Sequence, residues 1–312
     1  MSKVNELIHQ FKEAANSKNN ISRSGRKPAV TVGIEDPIAW TVLFYYDVNR
    51  YFNDPSFFVE QNLMQKLWRW ENFEDDTALA PEITAWLGHY PEYTFLGMNV
   101  KYDESGVPII QEDHLLSAIP DLRLLEQVSF SSSGWMPRAF KWYEQVKELV
   151  EGEIEVNFIT WWRGCLDLAI QLRGYNNFIL DTIERPEFIH DLLSFITACR
   201  NTWYDSFCKH FGKRLQPAEI GDDWINVPFI TPVFFREFLL PQYLKIEKHH
   251  GGIAYIHSCG NQAPVQKYML ELKTLNIFEV SPWTDLVQTL ANLPADKHLQ
   301  INVHPNDVLY DE

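Results

Sequence analysis

His257 and Cys259 stand two residues apart at the end of the apolar run Ile253-Ala254-Tyr255-Ile256, and Gly260 and Asn261 follow at once. Residues i and i+2 of a strand project to the same side, so an imidazole and a thiol here share one direction. Both groups bind zinc well, at about 2.0–2.3 Å from the metal. Two donors on one strand do not complete a site, and no second cysteine lies nearby. The remaining ligands would have to come from carboxylates and imidazoles at neighbouring strand ends: Glu219, Asp222, Asp223, Glu279 and His304. The competing reading is a core histidine held by a carboxylate beside an inert buried thiol. A pattern as short as His-x-Cys leaves both open.

Two further constellations could carry chemistry. In Asp222-Asp223-Trp224, neighbours on a strand point to opposite faces. One aspartate can therefore face a site, while the other caps a helix or meets a basic residue. In Trp161-Trp162-Arg163-Gly164, an arginine between tryptophans and a helix start would suit an anionic group. It would equally suit a structural ion pair. His89, His114, His249 and His250 have no evident partner in the sequence and read as surface residues.

These residues must be positioned by the elements around them. From Glu153 onward, short apolar strands alternate with helical stretches. "EIEVNFITWW", "QPAEIGDDW", "IAYIHSCG", "NIFEVSPW" and "HLQINVHP" read as strands. Between them lie "GCLDLAIQLRGY", a long helical stretch broken near Pro186, a helix opened by Thr231 and Pro232 with a kink at Pro241, "APVQKYMLELKTL", and "TDLVQTLANLP" with Thr284 as N-cap. Before them come an amphipathic first helix, a helix over residues 56–73, a hairpin turning at Asp103–Gly106, and a helix closed by Gly152. Alternation of this kind predicts parallel strands with helical crossovers. No GxGxxG or Walker sequence follows a strand, which argues against a nucleotide-binding open sheet. Polar residues recur at strand C-terminal ends, where a barrel gathers them at one mouth. The expected fold is α/β, a (β/α)8 TIM-type barrel. It forms a single domain over residues 1–312, with a helical N-terminal extension over residues 1–75.

The chain has 312 residues and a formal net charge of -15. An excess of negative charge repels phosphate backbones and anionic lipid surfaces, so neither nucleic acid nor membrane is an expected partner. The four cysteines are dispersed and none forms a CxxC. That usage predicts a reducing, cytoplasmic setting. The first residues lack the apolar stretch of a signal peptide, and no run approaches the roughly 20 apolar residues of a membrane span.

The stretch "EIGDDWINVPFITPVFFREFLLPQYLKIEKHHGGIAYIHSCGN" resembles the uroporphyrinogen decarboxylase superfamily, in particular its methyltransferase-like branch. The matching features are a Gly-Asp at a strand end, "TP" before "FREFLLPQY", and a strand ending in His-x-Cys-Gly. "NIFEVSPWTDL" and "INVHPNDVLY" follow in the same order, and the likeness runs from about Pro120 to the C-terminus. It implies a barrel enzyme that moves a methyl group from a methylcorrinoid (a methylated cobalamin-type cofactor), carried on a partner corrinoid protein, to a thiol such as coenzyme M. Relatives act on tetrahydrofolate or demethylate other substrates. It also implies zinc on His257 and Cys259, acting to hold the acceptor thiol as a thiolate.

With the strand-end reading added, Glu219 is the expected further metal ligand. Asp222 and His257 are the expected catalytic residues, and Trp161, Arg163, Asp223 and Trp224 the expected cofactor-binding residues. Trp161, Trp224 and Trp283 are expected to wall the mouth around a small-molecule methyl acceptor. The family's later ligand cysteine would fall beyond Glu312, and no cysteine follows Cys259. The resemblance therefore leads to the expectation of a fragment lacking the last strand–helix unit, or of a two-ligand remnant. Two other readings remain. A cofactor-free tetrapyrrole decarboxylase would need arginines near the N-terminus, which Arg23, Arg26 and Lys27 reproduce poorly. A non-catalytic barrel would bind a corrinoid protein or a small ligand and fold without metal.

Overall fold

The computed structural model describes residues 3–17, 28–34, 37–111, 114–125, 127–304 and 306. Arg23, Arg26 and Lys27, and the segment after Asn306, lie outside them. The chain divides into two compact units. The first takes residues 1–94, 99–111 and 134–160; the second takes 95–98, 112–133 and 161–312.

In the first unit, helix Lys3–Ala15 buries Val4, Leu7, Ile8 and Phe11, the spacing that puts one apolar stripe on a helix. Helix Pro55–Asn72 begins where Asp54 accepts from the Ser56 and Phe57 amides, with proline at its first turn. Helix Met136–Val150 ends as Glu151 and Gly152 turn to positive φ. Its strands are β1 (Glu82–Thr84), β2 (Val100–Tyr102), β3 (Pro108–Ile110) and β4 (Glu155–Asn157). β1 pairs with β4 in parallel, and β2 with β3 as an antiparallel hairpin. The hairpin turn is held by Asp103, whose carboxylate accepts from Ser105 and Val107.

The second unit carries the alternation: helices Cys165–Arg173, Tyr175–Glu184, Pro186–Phe211 and Leu240–His250, and strands β5 (Ala218–Gly221), β6 (Ile253–His257), β7 (Ile277–Val280) and β8 (His298–Ile301). β5 pairs in parallel with β6, and β7 with β8. Pro186 separates two helices as its missing N–H requires. Thr231 caps the next helical segment by accepting from the Phe234 amide at 3.1 Å. The disturbance expected at Pro241 appears just before it, as one wide π-turn over Phe235–Leu239. The cap of helix Leu286–Asn292 is Asp285, which accepts from Gln288. Thr284, expected in that place, points inward instead and bonds to Ser281 and to the Gly260 carbonyl.

The alternating α/β organisation thus matches the expectation, while the ladders are shorter than eight barrel staves would make them. Among the described residues, the named strands form four two-stranded sheets. Each strand has only three to five residues, and one pair is the antiparallel hairpin. No helix of the described residues is long and apolar enough to cross a membrane.

The four histidines read as surface residues separate in the structure. His89 is exposed, His114 bonds the Gln171 carbonyl at 2.7 Å, and His249 meets Asp205 at 3.0 Å. His250 is buried. Its Nδ1 lies 2.9 Å from the Gln216 carbonyl and its Nε2 2.9 Å from the Arg200 guanidinium. Burial, then the Arg200 charge, then neighbouring His249 push its pKa down to about 4, against the Gln216 bond. Above pH 6.5 the ring is neutral in both states and costs nothing. As pH falls from there towards 4, the unfolded chain takes up a proton that the native ring refuses, so stability is lost with falling pH. The loss is about 2 kcal/mol once solvent screening is allowed for. Urea titrations at pH 7 and pH 4.5 should show it, and His250→Asn should flatten the difference.

Candidate metal centre

The second unit lines up three chain segments at one edge. Gly221 donates to the Trp162 carbonyl at 2.9 Å, Gly164 to the Gly221 carbonyl at 2.7 Å, and Asp222 to the His257 carbonyl at 3.0 Å. These parallel bonds bring the ends of residues 162–164, β5 and β6 to one level. The chain after β5 then turns at Asp223, while Ser258 and Cys259 continue from β6.

Asp223, His257 and Cys259 meet there. Cys259 Sγ is 3.3 Å from Asp223 Oδ1 and 3.4 Å from His257 Nε2. His257 Nε2 is 3.4 Å from the same Asp223 oxygen. Tetrahedral zinc with ordinary bond lengths sets its ligand atoms about 3.4–3.6 Å apart. All three separations come within about 0.3 Å of that range, and the donor set is one nitrogen, one sulfur and one oxygen. Three protein ligands with a fourth position left open is the arrangement of catalytic zinc sites. These residues fit the metal.

The surroundings orient each donor. Glu279, 1% exposed at the end of β7, takes His257 Nδ1 at 2.9–3.0 Å and the Ser258 amide at 2.9 Å. Asn302 also donates to it. With Nδ1 engaged by a carboxylate, Nε2 is the nitrogen presented to Cys259 and Asp223, the pattern that fixes a metal-ligating histidine. Asp223 is anchored from behind. Its Oδ2 lies 2.6 Å from Arg163, whose same nitrogen is 2.9 Å from Asp167. Burial works against ionising Asp223, but hydrogen bonding to His257 and the charge of Arg163 outweigh it and hold the carboxyl well below its usual range. Burial also works against the His257 cation. Hydrogen bonds to Asp223, Cys259 and Glu279 reverse that and push its pKa up to about 12. Without metal the trio is a charge-assisted hydrogen-bond cluster, and a divalent ion would take the place of its protons.

The structure sends the two aspartates to different surroundings. Asp222, expected to face substrate, is fully buried. It caps helix Cys165–Arg173 by accepting from Leu166 at 3.1 Å and Asp167 at 2.8 Å, and it accepts from the Tyr243 hydroxyl at 2.7 Å. Burial lifts its pKa to about 6, partly offset by those donors. A Cβ on Gly164 would stand 2.2 Å from Asp222 Oδ2, so the close approach of cap to helix needs glycine there. Glu219, expected as a ligand, is exposed and takes no part in the cluster; its backbone carbonyl accepts from Arg200. Trp161, expected at the mouth, is fully buried against Phe95 and Trp203. Its neighbour Trp162 is the ring that lies beside His257, at 6.3 Å. Arg163 serves the ion pairs just described. Trp224 and Trp283 do line an open cavity of about 560 Å³ that Asp223 and Cys259 also border.

Glu279 and His304 are both candidate donors in the sequence. Glu279 enters the site as the support of His257, and His304 stands against Trp283. Tyr243, Asp167 and Asn302 are additional residues around the site. Tyr243 and Asn302 act across separations of 21 and 23 residues, which nothing local marks, whereas Asp167 meets Arg163 four residues away.

Residues 91–312 match the family model for Uroporphyrinogen decarboxylase (URO-D). Among solved structures, a methyltransferase from Methanosarcina mazei aligns with a TM-score of 0.53 at 15% identity, over 87% of this chain and 76% of that one. At such identity the likeness speaks for the fold. No curated protein matches the chain.

Proposed function

The chain belongs to the uroporphyrinogen decarboxylase (URO-D) family, and from that premise we propose a corrinoid-dependent methyltransferase-like enzyme built on a single (β/α)8 barrel with a helical extension over residues 1–75. The observation that carries the reading is the Asp223–His257–Cys259 trio, with every donor pair 3.3–3.4 Å apart. Zinc, when bound, supplies a Lewis acid that keeps an incoming thiol deprotonated at neutral pH. The protein's own residues do the rest. Glu279 fixes the His257 tautomer, Arg163 holds Asp223 in place, and the cavity beside Trp224 and Trp283 positions the small molecule. A methylcorrinoid delivered by a partner protein would supply the methyl group to that sulfur, the electron pair of the cobalt–carbon bond staying with cobalt. Holding the reactants in line lowers the barrier by several kcal/mol in such transfers. The dispersed free cysteines suit a reducing cytoplasm.

A decarboxylase reading draws on the family's name alone. The aspartate it would use for tetrapyrrole nitrogens is not Asp222, which is fully buried under a helix terminus. Metal analysis of the purified full chain decides between the readings. The expected result is about one zinc per chain, absent from His257→Ala, with methyl transfer from a methylcorrinoid to a thiol lost in parallel. Zinc missing from both proteins, together with porphyrinogen turnover, supports the decarboxylase. Neither metal nor turnover supports a non-catalytic barrel.

A further inference from the structure

Asn261 stands on the wall of the cavity beside the trio, two residues after Cys259. It is held twice. Its backbone carbonyl accepts from the Val227 amide at 3.0 Å, across an isolated antiparallel bridge. Its side-chain Oδ1 accepts from the Ala263 amide at 3.1 Å, in the local turn that asparagine favours. The oxygen is thus given to the chain, and the NH2 is the end of the side chain left for a ligand. Among the described residues that NH2 has no hydrogen-bond partner. The other asparagine of the wall is committed elsewhere. Asn226 is 6% exposed and donates to the Asp223 carbonyl at 2.7 Å. A Cβ on Gly260 would stand 2.3 Å from the Asn226 Cγ, so that amide packs directly on the glycine. Trp224 and Trp283 border the same cavity. Among the described residues neither indole N–H is taken by another group of the chain. No lysine, arginine or histidine belongs to the lining. Away from the metal donors, this wall chiefly offers a ligand neutral N–H groups.

We infer that Asn261 receives the polar head of the thiol acceptor, and that this head consists of oxygen acceptors, a carboxylate or a sulfonate, and not of N–H donors. The assignment of the ligand as methyl acceptor rests on the methyltransferase reading; its binding does not. An NH2 with indole N–H groups beside it serves an oxyanion without a cation, because hydrogen bonds to a charged acceptor are about twice as strong as neutral ones. The spacing agrees. Two residues of chain separate the Asn261 and Cys259 Cα atoms by at most about 7 Å. A thiol with two or three carbons between sulfur and head spans that length. Because Asn261 is anchored at both backbone and side chain, its donor is in place before the ligand arrives, and binding costs little ordering.

Calorimetric titration of the full chain, metal-free and zinc-loaded, provides the test. The probes are 2-mercaptoethanesulfonate, 3-mercaptopropionate, 1-propanethiol, which has no polar head, and cysteamine, whose ammonium head only donates. The two oxyanion thiols should bind about tenfold tighter than 1-propanethiol, and cysteamine no tighter than 1-propanethiol. The tighter of the two oxyanions tells sulfonate from carboxylate. The margin should appear with and without zinc, since the head touches no metal. Asn261→Asp keeps an oxygen for Ala263 and replaces the NH2 by a second oxygen, so it should abolish the margin. Because that change also adds a charge, Asn261→Ser is read beside it. Its hydroxyl still serves Ala263 but brings no NH2, and it too should abolish the margin while 1-propanethiol binds as before. No margin in the unaltered protein, tighter binding of cysteamine, or a margin kept in Asn261→Ser overturns the inference. Zinc content and methyl transfer measured on the same samples separate the two claims. A margin in protein that transfers no methyl group refutes the proposed function and leaves the head site standing. Methyl transfer without a margin refutes the head site alone.

Discussion

Asp223→Ala should weaken zinc binding by more than about 100-fold while leaving the fold nearly as stable as before. The loss exceeds the roughly 10–100-fold typical of an outer-shell partner, because Asp223 supplies a donor atom directly. Its carboxyl is held ionised by Arg163 and His257, so the metal meets a ready anion and displaces no proton from it. Removing that anion makes the His257 proton easier to lose, a compensation in the opposite direction. It does not replace the missing ligand. The fold is protected because Arg163 keeps its second partner, Asp167, at 2.9 Å, and no bare buried charge remains. Competition with a chromophoric chelator reads the affinity, and a urea titration reads the stability. Unchanged affinity would remove Asp223 from the centre.

The neighbouring substitution should do the reverse. Asp222→Ala leaves two helix amides and the Tyr243 hydroxyl without their acceptor in a fully buried place. Orphaned buried donors cost about 1–3 kcal/mol each, and relief from burying a carboxylate offsets part of the sum. The net expectation is about 3–4 kcal/mol. In urea this lowers the midpoint by about 1 M for a chain of this size. Asp222→Asn should cost about half as much, because both carboxylate oxygens accept from N–H groups and an amide must turn its NH2 towards one of them. Tyr243→Phe should cost least, since it removes one of the three bonds. A midpoint unmoved by Asp222→Ala would show that the helix terminus finds another cap.

The contrast between these adjacent residues marks what was legible in the sequence. Period-two geometry correctly placed His257 and Cys259 on one side, because a strand leads directly into them. It could say that Asp222 and Asp223 diverge, but not which way. The direction depends on β5 ending at Gly221 and on the N-terminus of helix Cys165–Arg173 arriving from 55 residues away to claim Asp222. The same ambiguity directs Trp161 to the site, whereas Trp162 is the ring beside His257. Caps were legible where the capping residue had no rival, as at Thr231. At Thr284-Asp285 the Gly260 carbonyl, 24 residues back, drew the threonine inward. Alternation of strand and helix was plain from Glu153 onward because apolar runs and turn residues are local signals. Tyr243 and Asn302 acquire their roles only through folding.

The divided grip on Asp223 would also sort one ion from another. Its Oδ2 faces Arg163 and its Oδ1 faces the histidine and the thiol, so the carboxylate can offer one oxygen and never two. Calcium demands six to eight oxygens and magnesium a near-ideal octahedron of them. At this corner either would find a single oxygen beside sulfur and nitrogen. A softer and scarcer ion would suit this corner better than abundant hard cations, and the guanidinium that sets the preference would never touch it.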